Sequence, residues 1–126
     1  MVKILVIGTG GFIGAVARYA LSGLVHRLYA GTFPAGTLVV NAAGCLLIGA
    51  LMSLVEDHQL FSPNARLFLA IGLLGSFTTF STVGYETVEF LRAGAIRLAL
   101  LNVVANAGIG ILAVLLGRGA VKAIAT

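Results

Sequence analysis

Charge is scarce in this chain. Of 126 residues only 10% are charged (Lys+Arg 8, Asp+Glu 4), while 60% are hydrophobic. A soluble domain carries about 25% charged residues. This chain lacks the polar surface to stand in water, and its composition points to an integral membrane protein. The same imbalance excludes disorder, which needs low hydrophobicity and high charge. The single cysteine, Cys45, excludes an intrachain disulfide and a cysteine-rich zinc site, and its apolar surroundings make it a small packing residue. Acid is scarcer than base, at Asp+Glu 4 against Lys+Arg 8, and the first acidic residue is Glu56. That excludes a nucleotide site at Gly8, Gly11 and Gly14, because such a turn needs a βαβ unit and an acid about 20 residues on. The sequence pI near 9.9 does not indicate nucleic acid, because the basic residues are scattered singly near the ends of apolar runs, where they suit lipid headgroups.

What is present is four long apolar runs, about 4–25, 37–55, 67–85 and 98–117. A helix needs about 20 apolar residues to cross the hydrocarbon core, so each qualifies. Short connectors hold nearly all the charge, both prolines and both histidines. The reading is one four-span, all-α membrane domain over 1–126. The first run is not taken as a signal peptide, because no soluble domain follows it. Small residues at packing spacings, such as Gly10 with Gly14 and Asn106 with Gly110, let membrane helices approach closely.

Orientation is nearly balanced. Lys3, Arg66, Arg118 and Lys122 fall on one side of the membrane, and Arg27, Arg92 and Arg97 on the other. Four against three barely biases insertion under the positive-inside rule. The arithmetic motivates dual topology and an antiparallel pair. Arg18 lies well inside the first run, where it faces protein or water or snorkels to the interface.

The third run holds Gly72-Leu73-Leu74-Gly75-Ser76-Phe77-Thr78-Thr79-Phe80-Ser81-Thr82-Val83-Gly84-Tyr85-Glu86. Glycine and threonine are poor helix formers. One reading is a helix broken in mid-membrane, whose freed backbone survives only when buried in protein or lining a wet cavity and serves ion sites. The other is an unbroken helix whose hydroxyls bond its own carbonyls. Composition leans to the break. Thr37, Asn41, Asn102, Ser81 and the threonines offer neutral donors, and the charge-free runs contain no acid. A donor-rich, acid-free lining suits an anion, and phenylalanine ring edges carry positive potential.

Three segments, Gly10-Gly11-Phe12-Ile13-Gly14-Ala15-Val16-Ala17-Arg18-Tyr19, Gly36-Thr37-Leu38-Val39-Val40-Asn41-Ala42-Ala43-Gly44 and Gly75-Ser76-Phe77-Thr78-Thr79-Phe80-Ser81-Thr82, in that order, resemble the signatures of the Fluc (CrcB) fluoride channels, and the resemblance covers essentially the whole chain. It implies a passive, fluoride-selective channel of the cell inner (plasma) membrane that exports fluoride. It also implies an antiparallel dual-topology homodimer with two pores and a central structural sodium ion. On the resemblance, backbone carbonyls of Gly75 and Thr78 hold the sodium. Thr37, Asn41, Phe80, Ser81, Thr82 and Asn102 line the pore, and Arg18 is the structural first-span arginine. A second pore phenylalanine is expected at 83, where this chain has Val83. The implied partners are fluoride, the bilayer and a second copy, with no nucleic acid and no nucleotide. The alternative is a small dual-topology multidrug or cation exporter, which needs a carboxylate in the first span; residues 4–25 hold none. A membrane enzyme needs a catalytic constellation, yet His26 and His58 both lie in connectors.

Overall fold

The computed structural model describes residues 1–124; residues 125–126, to which the single-domain reading extends, lie outside the described residues. Helices form α1 (Val2–Leu28), α2 (Ala35–His58), α3 (Pro63–Arg66), a π-helical segment (Leu67–Leu74), α4 (Gly75–Phe77), α5 (Phe80–Arg92) and α6 (Ile96–Ile124), and no strand forms among the described residues. Four stretches are long and apolar enough to cross a membrane: Val2–Leu28, Ala35–His58, Pro63–Arg92 and Ile96–Ile124. Each overlaps one of the apolar runs and extends past it, because helical hydrogen bonding continues into the flanking polar residues. Gly8 to Gly14 lie inside one continuous helix, not in a strand–turn–helix.

Local chemistry sets the boundaries. Ser62 accepts a hydrogen bond from the Ala65 N–H with Pro63 at the first helical position, the preferred start of a helix. At the end of α5, Gly94 adopts φ +73 and the Ala95 N–H reaches back to the Phe90 carbonyl at 2.8 Å. This is the six-to-one bond of a Schellman ending, which favours glycine in the left-handed position. It lets α6 begin at once.

Two seams hold the bundle. α1 packs on the π segment, and α2 packs on α6. Both seams rely on glycine. A methyl group at Gly10 would stand 2.5 Å from the Phe68 carbonyl oxygen, and one at Gly14 would strike the Leu73 carbonyl. Across the other seam, Gly49 lies against the Val114 carbonyl and Gly117 against the Leu46 carbonyl. Backbone therefore meets backbone, the close approach that drives helix association where water provides no hydrophobic force. A small core of Leu51, Val55 and Leu74 closes one end of the bundle. The outer sides carry exposed Leu5, Phe12, Leu100, Ile111 and Leu116.

Candidate functional site

The stretch from Pro63 to Arg92 is interrupted between α4 and α5. Thr78 has φ −79, ψ 157 and Thr79 has φ −150, ψ 116, both extended. Thr79 starts α5 by accepting from the Thr82 N–H through its own hydroxyl at 3.2 Å. Its backbone is gripped on both sides by Asn41. The Thr79 N–H donates to Asn41 Oδ1 at 2.8 Å, and Asn41 Nδ2 donates back to the Thr79 carbonyl at 3.1 Å. An unbroken helix would have sent the Thr79 and Thr82 N–H groups to the carbonyls of Gly75 and Thr78, four residues earlier. Both donors go elsewhere, which frees the two carbonyls the resemblance assigns to sodium. Gly75 is exposed and Thr78 half-buried, so oxygen ligands of the kind a hard cation takes border an open face. The donor set fits the ion.

From Asn41 the polar contacts run into α6. Asn41 Nδ2 also donates to Asn106 Oδ1 at 2.9 Å. Asn106 Nδ2 donates to the Asn102 carbonyl at 2.9 Å and to Asn102 Oδ1 at 3.0 Å. Asn102, 0% exposed, donates to the Val83 carbonyl at 3.3 Å, to Thr87 Oγ1 at 3.1 Å and to Glu86 Oε2 at 3.5 Å. The other oxygen of Glu86 accepts from the buried hydroxyl of Thr37. A hydroxyl cluster borders this network, with Thr79 Oγ1 at 3.2 Å from Ser81 and 2.9 Å from Thr82. Among the described residues no buried side-chain nitrogen or oxygen lacks a partner, as a polar group deep in a membrane bundle requires.

Two cavities flank the network. The larger, about 880 Å³, is lined by Arg18, Tyr19, His26, Arg27, Thr37 and Glu86 among others, and reaches Thr79 and Thr82. The smaller, about 480 Å³, is lined by Asn41, Gly75, Thr78, Phe80 and Asn106 among others. Thr79 borders both. Phe80 stands on the open side of α5 at 87% exposed, whereas Val83 is buried at 3%.

The structure thus brings Thr37, Asn41, Asn102, Ser81 and Thr82 into one polar neighbourhood and sets Arg18 across the larger cavity from it. It keeps Gly75, Thr78 and Phe80 on the smaller cavity. Asn102 is turned wholly inward. One expectation fails: the interior is not free of acid. The apolar run ends at residue 85 and leaves Glu86 to the connector, but α5 continues to Arg92, which carries Glu86 inward one turn below Thr82. Asn106 likewise has a part that its sequence context does not give it. The available signal is spacing, since Thr79, Thr82 and Glu86 share one helix face at i, i+3 and i+7, and Asn102 and Asn106 share another at i and i+4.

Residues 5–118 match the family model described as CrcB-like protein, Camphor Resistance (CrcB). The chain belongs to the CrcB family. Among curated relatives, "Fluoride-specific ion channel FluC 1" of Methanosarcina acetivorans is 48% identical over 118 residues, 94% of this chain and 89% of that protein. "Fluoride-specific ion channel FluC" of Clostridium perfringens is 44% identical over 114 residues, 90% of this chain and 89% of that protein. The same-named protein of Ruminiclostridium cellulolyticum is 39% identical over 126 residues, the whole of this chain and 97% of its own. Together with the four membrane-capable helices, membership of the CrcB family makes this a multi-pass membrane protein.

Proposed function

We propose that this CrcB protein is a passive fluoride-selective channel, not an enzyme, that exports fluoride across the cell inner (plasma) membrane. The observation that carries the reading is the match, across about nine-tenths of the chain, to relatives named as fluoride-specific channels at 44% and 48% identity. The geometry supports it. The larger cavity gathers Arg18, His26 and Arg27 against one acid, Glu86. Basic groups in a cleft raise the local concentration of anions. On its wall the hydroxyls of Thr82 and Thr79, with Ser81 beside Thr79, replace water around an arriving fluoride, while Thr37 keeps its hydrogen on Glu86. Neutral donors suit that step, because they stabilise an anion without trapping it as an ammonium would. The ring of Phe80, free on the opposite side of α5, presents its positive edge to the anion beyond the interruption. Asn41 and Asn102 act from behind, by fixing the backbone that presents these groups.

In the assembly we infer, two copies pair antiparallel, close the smaller cavity between them, and form two pores. The interruption of the third span then lies in mid-membrane. The Gly75 and Thr78 carbonyls of both copies would hold a sodium ion at the centre. When bound, that ion supplies a fixed positive charge that offsets the desolvation of nearby anions. Thr78 Oγ1 donates to the Leu74 carbonyl at 3.1 Å, which leaves the Thr78 carbonyl as its ligand atom. The exporter alternative is not favoured, since α1 offers no carboxylate for proton exchange.

The test is efflux from liposomes carrying the purified protein, with fluoride or chloride loaded in parallel. Fluoride leaves without ATP or a proton gradient, and chloride stays. Equal fluxes of the two anions overturn the reading.

A further inference from the structure

The orientation of each asparagine amide in the network is fixed by a backbone group whose role cannot be exchanged. A peptide N–H only donates and a carbonyl only accepts. Asn41 takes the Thr79 N–H on its oxygen and gives its nitrogen to the Thr79 carbonyl. Asn106 gives its nitrogen to the Asn102 carbonyl. Asn102 gives its nitrogen to the Val83 carbonyl. With all three amides set, every bond between them points the same way. Thr79 N–H donates to Asn41, Asn41 to Asn106, Asn106 to Asn102, and Asn102 to Glu86. Hydrogen bonds in such a chain polarise one another, more so in a low dielectric.

We propose that Asn106 is a positioning residue. It is the link in a one-way amide relay that ties the Thr79 N–H at the interruption to the Glu86 carboxyl, which lines the larger cavity. Asn106 touches neither end. It lies beside the smaller cavity, one helical turn past Asn102. Its oxygen occupies the second hydrogen of Asn41, so Asn41 cannot swing its nitrogen away from the Thr79 carbonyl. A change in what Glu86 accepts is therefore felt at the Thr79 N–H, and through it at the start of α5 that presents Phe80, Ser81 and Thr82. The weakest step is the 3.5 Å bond from Asn102 to Glu86. A change at Glu86 accordingly reaches Thr79 attenuated, while a change at Asn106 reaches it directly. The relay rests on the proposed function only in its effect on flux.

The experiment uses the full chain in lipid nanodiscs with ¹⁵N-threonine labelling, read at the Thr79 amide. Asn106→Leu removes both roles at similar volume. Asn106→Ser is the second variant. Serine bonds the carbonyl four residues back within a helix, so it preserves α6, but it is too short to reach Asn41. Both substitutions shift the Thr79 resonance. Glu86→Gln also shifts it, by less, and that shift disappears when Asn106→Ser is present. A Thr79 resonance unmoved by Asn106→Ser overturns the proposal, as does a Glu86→Gln shift of equal size with and without it. If Asn106→Leu does not fold, the serine variant decides alone. In flux assays, Asn106→Ser lowers the fluoride-to-chloride ratio roughly fivefold, the equivalent of one hydrogen bond. If the native chain shows no fluoride preference, the functional reading falls while the Thr79 resonance still decides the relay.

Discussion

The seam between α1 and the π segment and the network among α2, α5 and α6 hold the molecule by opposite means. In the first, Gly10, Gly14 and Gly72 simply let backbones touch. The second is built from Asn41, Asn102 and Asn106 and positions one residue, Thr79, through both its N–H and its carbonyl. Contact through glycine is unforgiving of size and indifferent to chemistry. Contact through amides tolerates some change of shape and depends on which atom donates. The steric seams should therefore fail all at once, and the polar network by degrees.

The harshest break of this comparison is Gly14→Val. The added branch meets the Leu73 carbonyl, and the nitrogen of Phe77 lies only 3.1 Å from a new Cβ. Backbone atoms cannot rotate out of the way, so the helices must separate. Overpacking of this kind costs about 3 kcal/mol or more. The expected outcome is loss of a monodisperse peak on size exclusion in detergent. Gly117→Val, against the Leu46 carbonyl and the Ala50 nitrogen, should fail the same way. A native elution profile for either would show that the seams are not set by glycine.

Next comes Asn102→Leu, which matches volume and removes the donor. It takes one hydrogen bond each from the Val83 carbonyl, Thr87 and Glu86, although the Val83 carbonyl keeps the Thr87 hydroxyl as a donor at 2.7 Å. A hydrogen bond contributes about 0.5–1.5 kcal/mol net in water-soluble folds, whereas interhelical hydrogen bonds in membranes average about 0.6 kcal/mol. With all three acceptors deprived of the amide, a destabilisation of about 2 kcal/mol is expected in detergent melting, without the collapse expected of Gly14→Val. Asn102→Leu as damaging as Gly14→Val would erase the distinction between the two kinds of contact. Thr37→Val is gentler still. It deletes one hydroxyl from Glu86, worth about 1 kcal/mol. Thr37→Ser should restore stability, and a deficit that persists in the serine variant would assign the effect to packing.

The two regions also differ in how far the sequence discloses them. Runs of apolar residues announce four spans, and glycines four apart announce close packing, because both are local patterns with a fixed period. Thr78 and Thr79, the two residues that turn extended, are likewise of a type that disfavours helix. The network is legible only in its members. Asn41, Asn102, Thr37, Ser81 and Thr82 are conspicuous as polar groups in apolar runs, but nothing local says that Asn41 turns to Thr79, 38 residues away. Glu86 is misleading because a charge near the end of an apolar run looks like a boundary. Here the helix continues past it, and Thr37 and Asn102 provide the hydrogen bonds that make its partial burial tolerable. Val83 shows the same limit from the other side. Its place in the motif suggests a ring lost from the pore, yet its side chain is buried and its carbonyl receives Asn102.

The smallest expected effect separates glycines that make contacts from glycines that do not. At Gly8 an added Cβ would meet nothing within 4 Å, although Gly10, two residues on, is backbone to backbone with Phe68. The two positions point to different sides of α1, Gly8 toward the exposed face. Alanine is a better helix former than glycine by about 1 kcal/mol, so Gly8→Ala should raise the melting temperature slightly or leave it unchanged. Gly84 provides the comparison. It too has nothing within 4 Å in the single chain, but it borders the smaller cavity beside Phe80 and Gly75, the face proposed to meet a second copy. If that face is covered, Gly84→Leu should leave the detergent-solubilised single chain folded and reduce cross-linked dimer and fluoride flux. Gly8→Ala should affect neither. Equal indifference at both positions would mean that the open face of α5 meets only lipid, and that the antiparallel pair, if it forms, uses another surface.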